Sequence, residues 1–203
     1  MRLPVDEATR KAAKAPHELA MVNLIVCNLL IGVALLAGSM AQPDSAIAHF
    51  KWVALAAPLV VSLTVIGITW RRAAGAQRRH WFVSVHWRLA TSRYRLVLAS
   101  YVVCAAILSL AWLGGANEAD IEAQVQGLSP AMQEMERHKL ASQDMGSAVW
   151  ARLGVVPLLL AVMVSIMLES GAIEQAGRGE IPDALAERFP PPPELQGDTE
   201  KAP

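Results

Sequence analysis

Four long runs that are almost free of charged residues constrain this chain more than any other feature of its sequence. They are Leu19–Ala41, Trp52–Trp70, Leu96–Gly114 and Ala148–Leu168, and only the last contains a charge, Arg152. Each run has between 19 and 23 residues. A helix that rises about 1.5 Å per residue needs about 20 residues to cross about 30 Å of hydrocarbon. The sequence therefore predicts an all-α, polytopic membrane protein with four transmembrane helices.

Composition and the tryptophan positions agree with this prediction. Hydrophobic residues make up 54% of the 203 residues, compared with about 45–50% in soluble domains. The 18 basic and 18 acidic residues leave no net charge, which argues against a nucleic-acid-binding protein. Indole rings prefer the headgroup level of a bilayer. Four tryptophans lie within about a turn of a predicted span end: Trp52, Trp70, Trp112 and Trp150.

The positive charges predict the orientation. If both termini and segment 71–95 lie in the cytoplasm, 14 of the 18 Lys and Arg residues are inside, as the positive-inside rule requires. We therefore expect a protein of the cell inner membrane with cytoplasmic N and C termini. Ser39-Met40-Ala41 resembles a signal-peptide cleavage site, but the first run is longer than the about 7–15 apolar residues of a signal peptide. An uncleaved helix is the favoured interpretation.

The segments around the four spans differ in charge. The predicted order is a cytoplasmic leader (1–18), a short outer loop (42–51), a cytoplasmic Arg-rich segment (71–95), an acidic outer loop (115–147) and an acidic, proline-rich cytoplasmic tail (169–203). In the outer loop we expect helices at Asn117–Gln126 and Ser129–Ser142, the second opened by a Ser-Pro pair. Four consecutive prolines and a polar end predict a largely disordered tail.

The Arg-rich segment is the first candidate for function. It has seven arginines and no acid, and helical spacing separates an apolar face from a basic one. Such a helix lies in the headgroup region and binds anionic lipid or partner carboxylates. The alternative, that the arginines only set the topology, stays open. The predicted lipid- or partner-binding residues are Arg71, Arg72, Arg78, Arg79, Trp81, Trp87, Arg88, Arg93 and Arg95.

Small and polar residues inside the spans predict helix packing. Such residues let helices approach closely and form hydrogen bonds across their interface. The predicted packing residues are Asn23, Asn28, Ala34, Gly38, Ser62, Ser100 and Cys104. The alternative is a polar path lined by Asn28, Ser62 and Ser100, with helix kinks at Pro58 and Pro157.

No catalytic, metal or cofactor site is predicted. All five histidines lie outside the four runs, so haem ligands within the spans are not expected. No Asp, Glu, Lys or His lies inside a run, which argues against coupled transport. The two cysteines are far apart and form no metal or redox motif. An interfacial lipid enzyme that uses His80 or His86 is the least favoured alternative, because segment 71–95 has no carboxylate.

These patterns favour a non-catalytic membrane subunit or assembly factor of a larger inner-membrane complex. It would dock through the Arg-rich segment and the tail, and its partners would be anionic headgroups and other membrane subunits. The alternative is a small homo-oligomeric transporter or channel. The opposite charges of tail and Arg-rich segment further predict that the tail folds back on the arginines.

Overall fold

The protein is described by a computed structural model that covers residues 1–40, 46–75, 80–114, 123, 125–143 and 145–193. Its helices are α1 (Glu7–Val22), the π-helical segment π1 (Asn23–Asn28), α2 (Leu29–Met40), α3 (Ala46–Ala74), α4 (Trp81–Gly114), α5 (Pro130–Gln143), α6 (Met145–Arg178) and α7 (Asp183–Arg188). Within these described ranges no strand forms beyond one isolated bridge, Arg2 with Glu180.

Four helices are long and apolar enough to cross a membrane. They are Glu7–Met40, in which α1, π1 and α2 are continuous, His49–Ala74, Trp81–Leu110 and Arg152–Arg178. The prediction of an all-helical chain with four such helices is therefore confirmed. Large apolar side chains cover much of the outer surface, including Trp52, Val60, Val102 and Met163.

The helices extend well beyond the charge-free runs. The first begins at Glu7, where the Asp6 carboxylate accepts a 3.1 Å hydrogen bond from the Thr9 amide. The last continues past Leu168 to Arg178, and α4 begins at Trp81. Residues 81–95 are therefore the first turns of the third long helix and lead directly into the charge-free run Leu96–Gly114. Charged side chains are compatible with a helix wherever they reach water, so a charge-free run marks only the part that can cross hydrocarbon.

The bundle interior is assembled mainly from α1, α4 and α6. One apolar cluster includes Leu24, Ile66, Val97, Leu158 and Val162, contributed by π1, α3, α4 and α6. The helices α2 and α6 approach closely at Gly32, where an added Cβ would lie 2.7 Å from the Leu159 Cδ2 atom. Small residues thus allow close helix packing, as expected for membrane bundles.

Both ends of the described chain meet at one end of the bundle. The Leu3 amide donates to the Gly179 carbonyl at 2.9 Å, and the Ile181 amide donates to the Met1 carbonyl at 2.9 Å. The terminal amino group of Met1 lies 2.6 Å from the Asp183 carboxylate. We call Met1–Val5 together with Gly179–Asp183 the terminal clasp. Its apolar side chains pack with Phe82, Val83, Val85 and Trp87 of α4.

The clasp and α7 differ from the expected disordered tail. Residues 169–178 belong to α6, and 179–193 continue through the clasp, α7 and Phe189. Buried apolar contacts from Ile181, with further packing of Leu185 and Phe189, hold this segment. Residues 194–203 of the predicted tail lie outside the described residues.

The expected outer-loop helix at Ser129–Ser142 is present as α5, with Pro130 at its first position. The Gln133 amide donates to the Ser129 carbonyl at 2.8 Å, which closes the first turn. Most of the other expected helix, Asn117–Gln126, lies outside the described residues.

Candidate functional site

Three ionisable side chains from three helices meet inside the bundle. The Nδ1 atom of His17 on α1 lies 2.5 Å from Oε2 of Glu169 on α6, and its Nε2 atom lies 2.9 Å from Nδ1 of His86 on α4. None of the three residues is more than 1% exposed. Buried ionisable groups are costly unless they are paired and hydrogen-bonded. We call His17, His86 and Glu169 the His–Glu cluster.

Arg93 of α4 gives Glu169 a cationic neighbour in addition to its contact with His17. Its Nη1 atom lies 3.6 Å from Oε1 of Glu169 and donates a 2.6 Å hydrogen bond to the Leu168 carbonyl. Oε2 of the same carboxylate faces His17. Arg93, predicted to contact lipid or a partner, is therefore directed toward the cluster, and this pairing explains how a carboxylate is accommodated at such a buried position.

The His–Glu cluster was not predicted from the sequence. His17 lies two residues before the first charge-free run, Glu169 follows the fourth directly, and His86 lies in the Arg-rich segment. The three residues nevertheless lie in helices that are long and apolar enough to span. The absence of Asp, Glu, Lys and His from the charge-free runs argues against coupled transport. This absence does not extend to the full helices, which contain His17, His86 and Glu169. A count of charged residues just outside each run is the sequence signal that could have identified them.

A second polar network lies at π1. The Asn28 amide nitrogen donates to the Asn23 carbonyl at 3.0 Å and to Ser62 Oγ at 3.1 Å, while the Tyr101 hydroxyl donates to Asn28 Oδ1 at 2.5 Å. Tyr101 also lies 2.9 Å from Ser62 Oγ. At the end of π1 the Leu29 amide donates to the Leu24 carbonyl, five residues back instead of four, and such π-helical turns are often found at functional sites. Asn28, Ser62 and Tyr101 form what we call the Asn–Tyr network.

Asn23 lies between the two groups of polar residues. Its amide nitrogen is 3.4 Å from the hydroxyl of Tyr94, the residue that follows Arg93. Among the buried side-chain nitrogen and oxygen atoms of the described residues, four make no hydrogen bond of normal geometry: Asn23 Oδ1, His86 Nε2, Ser165 Oγ and Gln175 Oε1. The bundle interior therefore holds a discontinuous series of polar groups from His86 to Ser62.

The structure places the predicted packing residues as follows. Asn23, Asn28 and Ser62 are buried and take part in contacts between helices. Ser100 and Cys104 are buried on α4, and the Ser100 hydroxyl donates to the Val97 carbonyl of its own helix. It does not join the Asn–Tyr network. Ala34 and Gly38 are half-buried on α2, and an added Cβ at Gly38 would lie 3.7 Å from Lys51 on α3.

The predicted lipid- or partner-binding residues have different surroundings. Arg71, Arg72 and Arg95 are exposed, and the Arg72 guanidinium lies 5.2 Å from the Trp87 ring centre. Trp87 is only 3% exposed; its indole packs inside the protein because it lies beneath the clasp. Trp81 is half-buried. Arg78 and Arg79 lie outside the described residues.

The chain after α7 contacts α4 through an aromatic ring. The guanidinium group of Arg88 lies 4.4 Å from the centre of the Phe189 ring, and that of Arg188 lies 5.6 Å from it. Such cation–π contacts stabilise an exposed segment modestly. The tail thus meets one arginine of segment 71–95 through Phe189.

No metal site is evident in the part of the chain that the structure describes. There, no group of three or more His, Cys, Asp or Glu side chains has an arrangement that could hold a metal ion. His17 uses both ring nitrogens in hydrogen bonds. The short contacts of His17 with Glu169 and with His86 give the His–Glu cluster a geometry that is suited to holding and moving a proton.

The fold defines the class of the protein as an all-helical protein with four potential membrane-spanning helices. No protein-family model matches the sequence, and neither the curated proteins nor the solved structures contain a significant match.

Proposed function

We propose that this protein is a non-catalytic integral subunit, or an assembly factor, of a larger complex in the inner membrane. It docks there through the bundle end that carries the terminal clasp. The observation that carries the proposal is the clasp itself, which joins Met1–Val5 to Gly179–Asp183 and holds both against α4. A surface that is ordered before binding loses less conformational entropy when a partner docks.

The charges around the clasp indicate the chemistry of the partner. Arg71 and Arg72 at the end of α3 are exposed, and Arg88 is half-buried under Phe189. Arginine forms bidentate hydrogen bonds with carboxylates and phosphates. The proposed partners are therefore acidic surfaces of other membrane subunits, with anionic headgroups around them. The excess of Lys and Arg in the segments at this end favours a cytoplasmic location for it.

Purification of the full chain in mild detergent, followed by reciprocal tagging of any co-purifying protein, tests the proposal. We expect a stable complex that is weakened by the triple variant Arg71→Gln, Arg72→Gln, Arg88→Gln. The matched control is Lys51→Gln with Arg152→Gln, which removes basic residues near the opposite helix ends. A chain that is isolated alone would contradict the proposal. Equal complex yields from both variants would contradict docking through these arginines.

The Asn–Tyr network supports a second candidate, a small homo-oligomeric transporter or channel. Asn28, Ser62 and Tyr101 place amide and hydroxyl groups in the bundle interior, and Pro58 and Pro157 interrupt the backbone hydrogen bonds of α3 and α6. This candidate predicts solute or ion flux in liposomes that contain the purified protein. Asn28→Leu should change the flux, whereas Thr64→Val, at an exposed position of α3, should leave it unchanged.

A further inference from the structure

The His–Glu cluster can hold its protons on only a few of its nitrogen and oxygen atoms. The hydrogen-bond geometry determines which atoms these are. With Glu169 ionised beside Arg93, its carboxylate accepts a hydrogen bond from Nδ1 of His17, so His17 carries a proton there. One further proton is shared between His17 Nε2 and His86 Nδ1, which are 2.9 Å apart. Without added charge, this proton lies on His86 Nδ1. The Nε2 atom of His86 then has a free lone pair.

The Nε2 atom of His86 is the position at which an arriving proton would bind. Within the described ranges His86 Nε2 is buried and makes no hydrogen bond of normal length and angle, although nearly all buried polar atoms in proteins make one. The ring of His86 packs edge-on against Phe82 of the core beneath the clasp. The backbone of Glu180 in the clasp is the neighbouring polar group. The unpartnered atom is thus on the side of the bundle end that carries the clasp.

We infer that the His–Glu cluster is a proton-uptake site that takes up one proton at His86 Nε2 and stores it on His17. The arriving proton forms an N–H bond at His86 Nε2. The N–H bond at His86 Nδ1 breaks, and its proton forms a new N–H bond at His17 Nε2. His86 is neutral before and after the transfer but has changed tautomer. His17 has become an imidazolium cation with one added charge.

The final charge is placed on His17 because of its neighbours. His17 Nδ1 lies 2.5 Å from the Glu169 carboxylate, whereas His86 contacts His17 and the Phe82 ring. An opposite charge at this distance stabilises the charged form of an imidazole. The other charged or titratable side chains near the cluster are Arg93 and Tyr94 on α4; the clasp faces His86 through the backbone of Glu180, and Lys14 on α1 lies beside Gly177 of α6.

The uptake of a proton would change the electrostatics at the centre of three helices. Without it, Glu169 is paired with Arg93 and accepts from a neutral His17. With it, Glu169 faces two cations. The attraction between α1 and α6 then increases, while Arg93 and His17 repel each other across the carboxylate. This site goes beyond the proposed docking function, since it requires no partner.

Nitrogen NMR of the full chain, labelled with ¹⁵N in the histidine rings and reconstituted in lipid nanodiscs, tests the inference. Between about pH 8 and about pH 5, the range in which histidine titrates, His86 should change from the Nδ1–H to the Nε2–H tautomer without becoming cationic. His17 should become an imidazolium in the same step. The exposed His49 and His80 supply reference ring signals from histidines outside the cluster.

Two variants distinguish the proposed proton transfer from His86 to His17 from independent titration of the two histidines. In His17→Gln the tautomer change of His86 should be lost, and in Glu169→Gln the imidazolium signal of His17 should be lost over the same pH range. The wild-type spectra are informative even where a variant does not fold. An imidazolium at His86, a His17 that stays neutral, or a His86 that keeps one tautomer at both pH values would overturn the inference. Protonation of Glu169 instead of His17 would overturn it as well.

Discussion

The Tyr101 hydroxyl donates a hydrogen bond of 2.5 Å to the side-chain oxygen of Asn28, although 73 positions separate the two residues in the chain. The same hydroxyl lies 2.9 Å from Ser62. Tyr101 therefore joins α4 to both π1 and α3. Because Asn28 uses its amide nitrogen for Asn23 and Ser62, the Tyr101 hydroxyl completes its hydrogen bonds.

Removal of this hydroxyl should destabilise the bundle. We expect Tyr101→Phe to lower the free energy of unfolding by about 1 kcal/mol, since it leaves Asn28 Oδ1 without its donor. Tyr94→Phe is the matched control and should cost less, because the Tyr94 hydroxyl is 3.4 Å from Asn23. Chemical unfolding in detergent, followed by circular dichroism, measures both. A larger effect of Tyr94→Phe would contradict the importance assigned to the Asn–Tyr network.

Glu169 should be far more important for stability than other acids of α6. Replacement by Gln keeps the shape of the side chain but removes the negative charge between His17 and Arg93. We expect a loss of about 3 kcal/mol, as for a buried ion pair that loses one member. Glu174→Gln, whose exposed pair with Arg178 lies on the same helix, should cost less than about 1 kcal/mol. Similar unfolding midpoints for the two variants would contradict the conclusion that Glu169 is a buried, charged residue that stabilises the fold.

Gly179 should be required for the terminal clasp. Its φ angle is 74°, and an added Cβ would lie 2.7 Å from the Leu3 carbonyl oxygen. Gly179→Ala should therefore destabilise the clasp by about 1 kcal/mol or more. Faster hydrogen exchange at the Leu3 and Ile181 amides would report this change. At Gly171, in the helical part of α6, an added Cβ meets nothing within 4 Å, so Gly171→Ala should leave the exchange of those amides unchanged.

The start of α1 should depend on the ionisation of Asp6. Hydrogen bonds from Thr9 lower the pKa of the Asp6 carboxyl below its ordinary value of 3.8. A lowered pKa in the folded state means that the carboxylate stabilises the fold above the unfolded pKa, and that this contribution is lost as the pH falls through the folded pKa. Amide exchange at Thr9 should therefore be slower in wild type than in Asp6→Ala at neutral pH.

The difference at Thr9 should persist down to the ordinary carboxyl value of 3.8 and shrink only below it, because the lowered pKa keeps the Asp6 carboxyl of the folded protein ionised. Asp6→Asn serves as the control, because it keeps a side-chain oxygen that can accept the Thr9 bond at every pH. A difference between wild type and Asp6→Ala that does not change with pH would contradict the role assigned to the carboxylate.

The four long helices could be predicted from the sequence because membrane crossing depends on a local property. A run such as Leu96–Gly114 is apolar in itself, whatever its neighbours are. The positions of Asn28 and Ser62 also predicted helix contacts, because a polar side chain in an apolar run is stabilised mainly by hydrogen bonds to a neighbouring helix. The identity of the contacts, and the part played by Tyr101, depended on how the helices are rotated against one another.

The His–Glu cluster required the tertiary structure. His17, His86 and Glu169 are separated by 69 and 83 positions, and each lies at or beyond the end of a charge-free run, where a solvent-exposed position is the ordinary expectation. The helices continue past those ends and pack together there, so all three side chains become buried. Their meeting depends on the lengths and rotations of α1, α4 and α6, which no local pattern contains.

The amino-acid sequence alone thus determined the helical class and the number of long apolar helices, because both follow from the hydropathy of single segments. Only the tertiary structure decided which polar groups meet in the interior and that the two ends of the described chain form one clasp. The physical reason is that a hydrogen bond of 2.5 to 2.9 Å, such as those of His17, requires helices distant in sequence to be placed within a fraction of an ångström.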